Sequence, residues 1–316
     1  MSNTYLVTGA AGFIGQALCS RLLNDGHRVT GIDNFSRGKR DTEFLKLESH
    51  QNFTFYDHDL TCGVPEKINQ NFTGVIHLAG IVGVENVMDE PFDVFQINIK
   101  MITEVLIWMR KNNVGSFLYL SSSEVYGWHE QLVIPTPEDI SIILPSLESP
   151  RSGYALSKIQ GEFLTHTLCK QLSIPYSILR PHNVYGPRMG HSHVIPQLWN
   201  KIKSSESVLV KNPHFTRAFC YIDDAISQIT DSLNAPLNTV ENVGNDSSEI
   251  EIFDLAKRMA KVLNKTIEIK SEVYEQDIFQ RRCPNMNTRD NRFGKKAYIS
   301  IDEGLQRTLS WYEKNH

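Results

Sequence analysis

The sequence is poor in cysteine and has no surplus of positive charge. Its 316 residues include five cysteines, namely Cys19, Cys62, Cys169, Cys220 and Cys283. They are odd in number and widely spaced, so they predict neither a disulfide framework nor a zinc site, and we expect no metal. Lys and Arg total 32 against 36 for Asp and Glu, a formal net charge of -4. Nucleic acid is therefore not expected as a partner, because no basic excess is present to neutralise a phosphate backbone.

Long apolar runs are also missing. No stretch approaches the ~20 residues that a spanning helix needs, so we expect no membrane partner. The N-terminal Met1–Thr4 leads directly into a strand-like run without the charged and apolar regions of a signal peptide, which predicts a cytoplasmic protein. With 41% hydrophobic and 22% charged residues, the composition is that of an ordinary globular chain.

Short apolar runs alternate with helical periodicity over the first part of the chain. Strands are predicted at Tyr5–Val7, His27–Ile32, Phe53–Tyr56, Gly74–Leu78, Phe117–Ser121 and Tyr176–Arg180, and helices at Phe13–Leu23, Asp93–Lys111 and Tyr154–Leu172. This alternation indicates parallel βαβ units. We predict an α/β fold with a Rossmann-type doubly wound parallel sheet over residues 1–180. A smaller mixed α/β C-terminal substrate domain is predicted over residues 181–316, with the return of a strand and a helix to the first domain left open.

Three glycines separate the first predicted strand from the first predicted helix. Gly9, Gly12 and Gly15 occur in Thr8-Gly-Ala-Ala-Gly-Phe-Ile-Gly. The first accepts a positive φ, the second lets a pyrophosphate approach the backbone, and the third lets helix and strand pack closely. The helix N-terminus also favours phosphate charge. A glycine triplet alone can be an incidental turn, but this position predicts a dinucleotide site.

Asp33 ends the second predicted strand. Its position suits a carboxylate that accepts hydrogen bonds from the adenosine ribose hydroxyls, and it would repel a 2′-phosphate. The pattern therefore favours NAD over NADP, although Arg37 and Lys39 lie nearby. The alternative is a solvated Asp that begins a turn with Asn34.

Tyr154 and Lys158 are four residues apart on one predicted helix, so their side chains project from the same face. An ammonium beside a phenol stabilises the phenolate, so we expect the pKa of Tyr154 to fall from its usual ~10 towards the operating pH. Such a base can deprotonate an alcohol while bound nicotinamide oxidises it. Ser122, which follows the fifth predicted strand, is placed to hold the alcohol oxygen. Alone, a Tyr/Lys pair at this spacing is usually structural, and a serine here can equally well cap the end of a strand.

Together these motifs resemble the extended short-chain dehydrogenase/reductase family, specifically its nucleotide-sugar epimerases, dehydratases and decarboxylases. The matching segments span nearly the whole chain in the family's order and are Thr8–Gly15, Asp59–Leu60, His77–Gly80, Asn98, Ser122–Gly127, Tyr154–Lys158, Arg180–Pro187, Thr216–Phe219 and Arg282–Pro284. Each is weak alone, but together they are specific. The resemblance implies an NAD-dependent homodimer that acts on a nucleotide-diphosphate sugar.

The resemblance also assigns roles to individual residues. The implied NAD-binding residues are Gly9, Gly12, Phe13, Ile14, Gly15, Asp33, Asn34, Asp59, Leu60, Leu78, Ala79, Gly80, Asn98, Tyr154 and Lys158. The implied catalytic residues are Tyr154, Lys158, Ser122, Ser123 and Glu124. The residues implied to face the nucleotide diphosphate or the sugar are Asn183, Arg217 and Arg282. Arginine suits this contact because its fork pairs with phosphate or carboxylate oxygens at two points.

The family resemblance implies a common first step, oxidation of the sugar C4 hydroxyl, and leaves the outcome open. A C6 carboxylate makes the ketone a β-keto acid that loses carbon dioxide, a C6 hydroxyl permits dehydration, and turnover of the ketone gives 4-epimerisation. Glu124 beside Ser122 can move a proton at C5 or C6. Ser123 stands where dehydratases resembling the dTDP-glucose enzyme have an Asp.

Segments outside the catalytic motifs also resemble the decarboxylases, namely Ile32–Lys39, Pro135–Asp139, Ser149–Ser152 and Gln280–Pro284. We therefore predict decarboxylation of a UDP-hexuronate. A dehydratase that acts on a GDP- or UDP-hexose is the first alternative, and a 4-epimerase is the second. An NAD-binding sensor on the same fold is the non-enzyme alternative, which the retained Tyr154 and Lys158 disfavour.

Overall fold

The structure is a computed structural model that describes residues 2–127, 132–143, 146–236, 238–273 and 280–316, with residues 84–86 described by their backbone alone. Its strands are β1 Thr4–Thr8, β2 Arg28–Asp33, β3 Phe53–Asp57, β4 Gly74–His77, β5 Phe117–Leu120, β6 Tyr176–Pro181, β7 Val184–Tyr185, β8 Ser207–Lys211, β9 Thr216–Ala218, β10 Cys220–Tyr221, β11 Thr239–Val243, β12 Glu249–Glu251, β13 Glu268–Glu272 and β14 Arg281–Arg282. Its helices are α1 Phe13–Asn24, α2 Thr42–Glu48, α3 Val84–Asp89, α4 Pro91–Met109, α5 Arg151–Leu172, α6 Val194–Ser204, α7 Ile222–Asn234, α8 Ile252–Val262, α9 Asn287–Phe293 and α10 Ile301–Asn315.

The largest sheet has seven strands in the order β11-β6-β5-β4-β1-β2-β3. β1 pairs in parallel with β2 and with β4, and parallel pairing continues from β2 to β3 and from β4 through β5 to β6. The strand order reverses at β1, so a crevice lies outside the carboxyl ends of β1 and β4, where doubly wound sheets bind ligands. The predicted α/β fold with a Rossmann-type parallel sheet is confirmed.

The centre of this sheet is buried because its strands are continuous apolar runs. β1, β4 and β5 are buried along nearly their whole lengths. Leu6, Val75 and Phe117 on these strands belong to one core cluster with Ile102 of α4 and Ile178 of β6. This packing fixes the positions of the carboxyl ends of the strands, from which the loops of the site begin.

The chain forms two compact units. The first comprises Met1–Val125, Ser146–Arg180 and Ile226–Glu241, and the second comprises Tyr126–Pro145, Pro181–Ala225 and Asn242–His316. The second unit contains a three-stranded sheet in the order β12-β9-β14, together with the strand pairs β8–β13 and β7–β10. The division into domains at residue 180 stays a prediction.

Among the elements that were not predicted from the sequence are β11 and α10. β11 was missed because its buried positions include the polar Glu241 and Asn242, which interrupt the apolar pattern. α10 begins with Ser300 as its N-cap, which accepts a hydrogen bond from the amide of Glu303. Ser at the cap with Glu three residues later is a recognisable start signal.

None of the described helices is long and apolar enough to cross a membrane. All five cysteines are free thiols, and Cys62 alone is exposed.

Candidate active site

The glycine turn after β1 packs closely against its neighbours. Gly9 has a φ of 72°, a conformation that favours glycine. A Cβ on Gly9 would lie 2.8 Å from the amide nitrogen of Ala79, and one on Gly15 would lie 1.9 Å from the carbonyl oxygen of Gly9. α1 begins at Phe13, and its N-cap Gly12 makes no side-chain hydrogen bond. No capping side chain therefore occupies the first amides of the helix, and they can donate hydrogen bonds to a bound anion. Half-buried Phe13 and the next residue, Ile14, form this first turn.

Asp33 at the end of β2 is held by backbone amides. Its Oδ2 accepts a hydrogen bond from the amide of Ala11 at 3.0 Å, and its Oδ1 accepts one from the amide of Phe35 at 2.8 Å. Burial raises the pKa of Asp33, and these hydrogen bonds oppose the rise. The carboxylate thus joins the glycine turn to the loop after β2. The amide of Gly12 also hydrogen-bonds this carboxylate. A carboxylate has about four acceptor positions, so a ribose hydroxyl can still bind to it.

Asn34 and Asp59 lie side by side on an exposed rim after β2 and β3. The amide of Asn34 hydrogen-bonds the Asp59 carboxylate. Asp59 Oδ1 also accepts from the backbone amide and the hydroxyl of Thr61, at 2.9 and 2.8 Å. These hydrogen bonds, the amide of Thr61 first, lower the pKa of Asp59. Leu60, which lies between Asp59 and Thr61 in the chain, is buried.

The loop after β4 is clamped by Asn98 of α4. Asn98 Oδ1 accepts from the amide of Ile81 at 2.7 Å, and its Nδ2 donates to the carbonyl oxygen of Ile81 at 3.1 Å. The same amide group donates to Ser157 of α5 at 3.3 Å. Leu78–Gly80, which immediately precede Ile81, are half-buried. Asn98 therefore positions the loop that carries three predicted cofactor residues, and its own contact with NAD stays a prediction.

The structure brings Tyr154 of α5 to Ser122, which follows β5. The Tyr154 hydroxyl is hydrogen-bonded to the side chain of Ser122. Ser122 is buried, and its Oγ accepts from the amide of Glu124 at 3.2 Å. Ser123 begins the short 3-10 turn that contains Glu124. The two groups expected to hold an alcohol oxygen therefore lie together.

Lys158 is buried one helical turn beyond Tyr154. Its Nζ donates to the carbonyl oxygen of Leu120 at 3.0 Å and lies 5.9 Å from the centre of the Tyr154 ring. A Cβ on Gly80 would be 3.3 Å from this nitrogen, so the ammonium lies against the loop after β4. Burial lowers the pKa of Lys158 to about 8, and the charge of Glu162 opposes this change.

The predicted fall in the pKa of Tyr154 is wrong for the protein chain itself. Burial raises the pKa of Tyr154 to about 12. The hydrogen bond from Ser122 and the charge of Arg37 lower this pKa, whereas the charge of Glu124 raises it. Desolvation of the phenolate outweighs the charges that favour it. A base role for Tyr154 therefore requires more stabilisation of the phenolate than the chain alone provides.

Glu124 is paired with Arg151, the first residue of α5. Arg151 Nη2 lies 3.2 Å from Glu124 Oε1 and 3.4 Å from Oε2. The sequence reasoning gave Arg151 no role. The available signal was its position three residues before Tyr154, which places both on one face of the helix, but this spacing gives no indication of the contact with Glu124.

Arg217 and Arg282 are neighbours in the second unit. They are Cα partners in the parallel pairing of β9 with β14, so both side chains leave the same face of the small sheet. Arg217 Nη1 donates to the carbonyl oxygen of Thr216 at 2.7 Å. Asn183 has a φ of 41°, and its Nδ2 donates to the carbonyl oxygen of Ala218 at 3.1 Å. Two of the three predicted substrate residues are thus adjacent, and Asn183 is bonded to the end of the same strand, β9.

Arg281, next to Arg282, has a different environment. Its Nε and Nη2 donate to the two oxygens of Glu249 at 2.7 and 2.8 Å, and this contact lowers the pKa of Glu249. Successive side chains of a strand point to opposite faces. The neutralised Arg281 therefore lies on one face, and Arg282 lies with Arg217 on the other.

Asn242 is a buried hydrogen-bonding centre that sequence reasoning missed. Its Oδ1 accepts from the hydroxyl of Tyr126 at 2.7 Å. Its Nδ2 donates to the carbonyl oxygens of Thr136 and Asn285 at 2.9 and 3.1 Å, and its own amide donates to Glu138 at 3.0 Å. Asn242 therefore joins the segment that follows Glu124 in the chain to the segment that follows Arg282.

The doubly wound sheet, the glycine turn and the Tyr/Lys pair beside a serine define an NAD-binding enzyme of the short-chain dehydrogenase/reductase class. The close-packed turn and the carboxylate of Asp33 fit such a cofactor. The chain belongs to the NAD dependent epimerase/dehydratase family, whose model matches residues 5–244. This membership confirms the family resemblance and NAD as the cofactor. The chain is therefore an enzyme of the epimerase, dehydratase and decarboxylase superfamily that acts on nucleotide sugars.

Known proteins resemble the chain along its whole length. UDP-glucuronic acid decarboxylase 1 of Xenopus tropicalis is 28% identical over 313 residues, which cover 98% of this chain and 72% of the relative. The structure of UDP-N-acetylglucosamine 4-epimerase from Methanobrevibacter ruminantium, in complex with UDP-N-acetylmuramic acid, has a TM-score of 0.89 at 28% identity and covers 100% of this chain and 99% of its own. The structure of UDP-glucuronic acid 4-epimerase from Bacillus cereus, in complex with UDP-glucuronic acid and NAD, has a TM-score of 0.87 at 28% identity. It covers 99% of this chain and 100% of its own.

Proposed function

We propose that this chain decarboxylates a UDP-hexuronate through a 4-keto sugar. The observation that carries the proposal is the position of Glu124, whose amide donates to Ser122 Oγ and whose charge acts on Tyr154. A carboxylate next to an alcohol-binding pair can handle a proton at the carbons beside the oxidised centre. The likeness to a UDP-glucuronic acid decarboxylase over 98% of the chain supports the same reaction.

The first step is removal of the proton from the sugar C4 hydroxyl. Ser122 holds the oxygen by a hydrogen bond, and Tyr154 accepts its proton. Lys158, with Nζ against the loop after β4, holds the ribose of the cofactor and adds positive charge near the phenol. The chemistry that bound NAD supplies is the reversible oxidation of C4. We assign the cofactor contacts to the glycine turn, Asp33, Asn34, the Asp59–Leu60 pair, the Leu78–Gly80 loop and Asn98.

The second step follows from the chemistry of the ketone. A C4 ketone with a C6 carboxylate is a β-keto acid, so the C5–C6 bond breaks, carbon dioxide leaves and the electron pair passes to the C4 oxygen. A proton from solvent then returns to C5, and Glu124 is the group placed to relay it, because a carboxylate can accept a proton and pass it on. Arg282 and Arg217 bind the charged oxygens of the nucleotide sugar, together with Asn183. Reduction of the C4 ketone by the hydride that NAD took up, with the proton returned to the C4 oxygen by Tyr154, then gives a UDP-pentose.

The test is mass spectrometry of products from NAD-loaded protein with a panel of UDP-, GDP- and dTDP-sugars. We expect loss of carbon dioxide from UDP-glucuronate. The Tyr154→Phe and Lys158→Ala variants should lose C4 oxidation, whereas Glu124→Gln should oxidise the substrate and stall afterwards. Loss of water from a neutral nucleotide hexose would instead identify a dehydratase. Binding of nucleotide sugars without turnover would identify a sensor.

A second candidate, 4-epimerisation, is favoured by the likeness to UDP-glucuronic acid 4-epimerase. That reaction needs the same Tyr154 and Ser122 but no loss of the carboxylate. It predicts an isomer of UDP-glucuronate of unchanged mass. Liquid chromatography before the mass spectrometer separates this outcome from decarboxylation.

We further propose a homodimer that buries the outer faces of α4 and α5. These helices pack against each other, yet Phe92 of α4 is 67% exposed and Phe163 of α5 is 65% exposed. Large exposed aromatic side chains on adjacent helices favour association with a second copy. Phe163→Asp should give a monomer by light scattering. Val273→Asp, which changes an exposed apolar side chain of the second unit, should leave the dimer intact, and equal behaviour of the two variants contradicts this interface.

A further inference from the structure

Glu124 forms a charged pair with Arg151, a residue to which the proposed reaction gives no task. Arg151 Nη2 is 3.2 Å from Glu124 Oε1 and 3.4 Å from Oε2. The side chains are 26% and 16% exposed, so both are largely shielded from water. A charge contact in such a setting is stronger than one on an open surface.

The pair is close to the atoms that would hold the substrate alcohol. Glu124 donates from its amide to Ser122 Oγ at 3.2 Å, and Tyr154 is hydrogen-bonded to the same serine. Arg151 and Tyr154 are three residues apart on α5, so they share one face of the helix. The Glu124–Arg151 pair therefore adjoins the position of the sugar C4 oxygen.

The C6 group of a hexose is two bonds from C4, so it lies near the same residues. A hexuronate carries a carboxylate there. If the Glu124 carboxylate were unpaired, two negative charges would meet in a partly shielded site and repel each other. The guanidinium of Arg151 cancels the charge of Glu124 and so removes this repulsion. A neutral hexose has no such requirement.

We infer that Arg151 determines substrate specificity by neutralising Glu124, so that the site accepts nucleotide sugars with a C6 carboxylate. The inference rests on the proposed function for the placement of the C4 hydroxyl at Ser122 and Tyr154. It adds to the proposed reaction a residue, Arg151, that selects hexuronates over neutral hexoses. Arg151 acts through Glu124 and is a positioning residue for the reaction itself.

The test compares binding of UDP-glucuronate and UDP-glucose by titration calorimetry with NAD-loaded protein. Arg151→Met should weaken the binding of UDP-glucuronate about tenfold or more, which is the range expected when a contact to a charged group is lost. The affinity for UDP-glucose should change by less than about threefold, because this sugar has no charge at C6. Arg151→Lys should retain most of the affinity for UDP-glucuronate. Arg21→Met, which removes an exposed ion-paired arginine of α1, is the matched control and should change neither affinity.

The double variant Glu124→Gln with Arg151→Met gives the sharper result. The neutral amide that Glu124→Gln introduces needs no counter-charge, so the double variant should regain UDP-glucuronate affinity relative to Arg151→Met alone. Equal loss for the two sugars, no recovery in the double variant, or failure of the wild type to bind UDP-glucuronate would overturn the inference. Thermal unfolding of each variant separates a folding defect from lost selectivity.

The binding experiment does not depend on which product forms. A charge-selective effect of Arg151 without release of carbon dioxide would refute decarboxylation and leave this inference standing. If the wild type releases carbon dioxide but Arg151→Met binds both sugars equally weakly, decarboxylation stands and the inference about Arg151 is refuted. Steady-state kinetics with UDP-glucuronate provide a second measurement. If Arg151 acts through charge, Arg151→Met should raise KM by a larger factor than it lowers kcat.

Discussion

Glu162 and Arg180 form a buried bidentate ion pair in the first unit. Arg180 Nε donates to Glu162 Oε1 at 2.9 Å, and its Nη2 donates to Oε2 at 2.7 Å. Ser121 also donates to Oε1, at 2.6 Å. Ser121 directly precedes Ser122, and Glu162 lies one turn beyond Lys158. The pair therefore joins β6, α5 and the end of β5 next to the catalytic residues.

We expect Glu162→Gln to lower the free energy of unfolding by about 3 kcal/mol or more, because it leaves the charge of Arg180 buried without its partner. Urea denaturation measures the change. Asp302→Asn is the matched control, since Asp302 accepts two hydrogen bonds of 2.8 Å from Arg258 on an exposed surface. That variant should lose at most about 1 kcal/mol. Similar losses in the two variants would contradict the importance of burial.

Lys158 predicts an unusual dependence of stability on pH. Its pKa is lowered by burial to about 8 from 10.5, so folding disfavours the charged form, and the resulting penalty is fully present below pH 8. As pH rises from 8 to 10.5 the unfolded chain binds more protons at this residue than the folded chain, so the penalty is relieved. Lys158→Met should therefore stabilise protein stripped of NAD at pH 7, by on the order of 1–3 kcal/mol.

The stability gain of Lys158→Met should shrink between pH 8 and pH 10.5, measured by urea denaturation of both proteins across that range. A gain that does not change with pH would show that lost packing, and not the charge, sets the difference. Because the pKa of Tyr154 is raised to about 12, Tyr154 affects stability only above its unfolded value of ~10, so the part of this window below pH ~10 reports on Lys158.

Local sequence patterns were sufficient to predict the framework of the first unit. The Gly9, Gly12 and Gly15 spacing and the position of Asp33 are set by neighbouring residues, and the structure places them at adjoining strand ends. β11 was missed because its polar residues are satisfied by distant partners, as in the hydrogen bond from Tyr126 to Asn242, 116 residues away in the chain. Such pairing leaves no periodic signal.

The environment of the candidate catalytic residues was harder to predict than their identity. The spacing of Tyr154 and Lys158 indicated a shared helix face, which the structure has. The pKa of Tyr154 was predicted in the wrong direction because burial arises from the whole surrounding packing and not from one neighbour. The contact of Arg151 with Glu124 joins residues 27 positions apart, a distance that helical spacing does not report.

Asn242→Asp is expected to impair binding of the nucleotide sugar. The new carboxylate could not donate to the carbonyl oxygens of Thr136 and Asn285, and it would repel both. Because Asn285 follows Arg282 by three residues, we expect KM for the nucleotide sugar to rise about tenfold with a smaller change in kcat. Steady-state kinetics over a range of substrate concentrations measures both constants.

The matched control for Asn242→Asp is Asn245→Asp. Asn245 is also buried, but within the part of the chain that the structure describes its side chain hydrogen-bonds to Ser247 and Ser248 of its own turn. That variant should leave KM nearly unchanged. A similar rise in KM for both would assign the effect to buried charge in general and not to the segments that Asn242 joins.

Gly12→Ala and Gly15→Ala should separate folding from cofactor binding within one turn. A Cβ on Gly15 would lie 1.9 Å from the carbonyl oxygen of Gly9, whereas one on Gly12 would lie 3.2 Å from the same oxygen with no other neighbour within 4 Å. Gly15→Ala must therefore displace backbone, and it should lower the free energy of unfolding by about 2 kcal/mol or more. Gly12→Ala should fold with nearly unchanged stability but bind NAD about tenfold more weakly, because its methyl group occupies the approach of the pyrophosphate. Urea denaturation and NAD titration of both variants measure these effects, and a Gly12→Ala variant with full NAD affinity would exclude this turn as the pyrophosphate site.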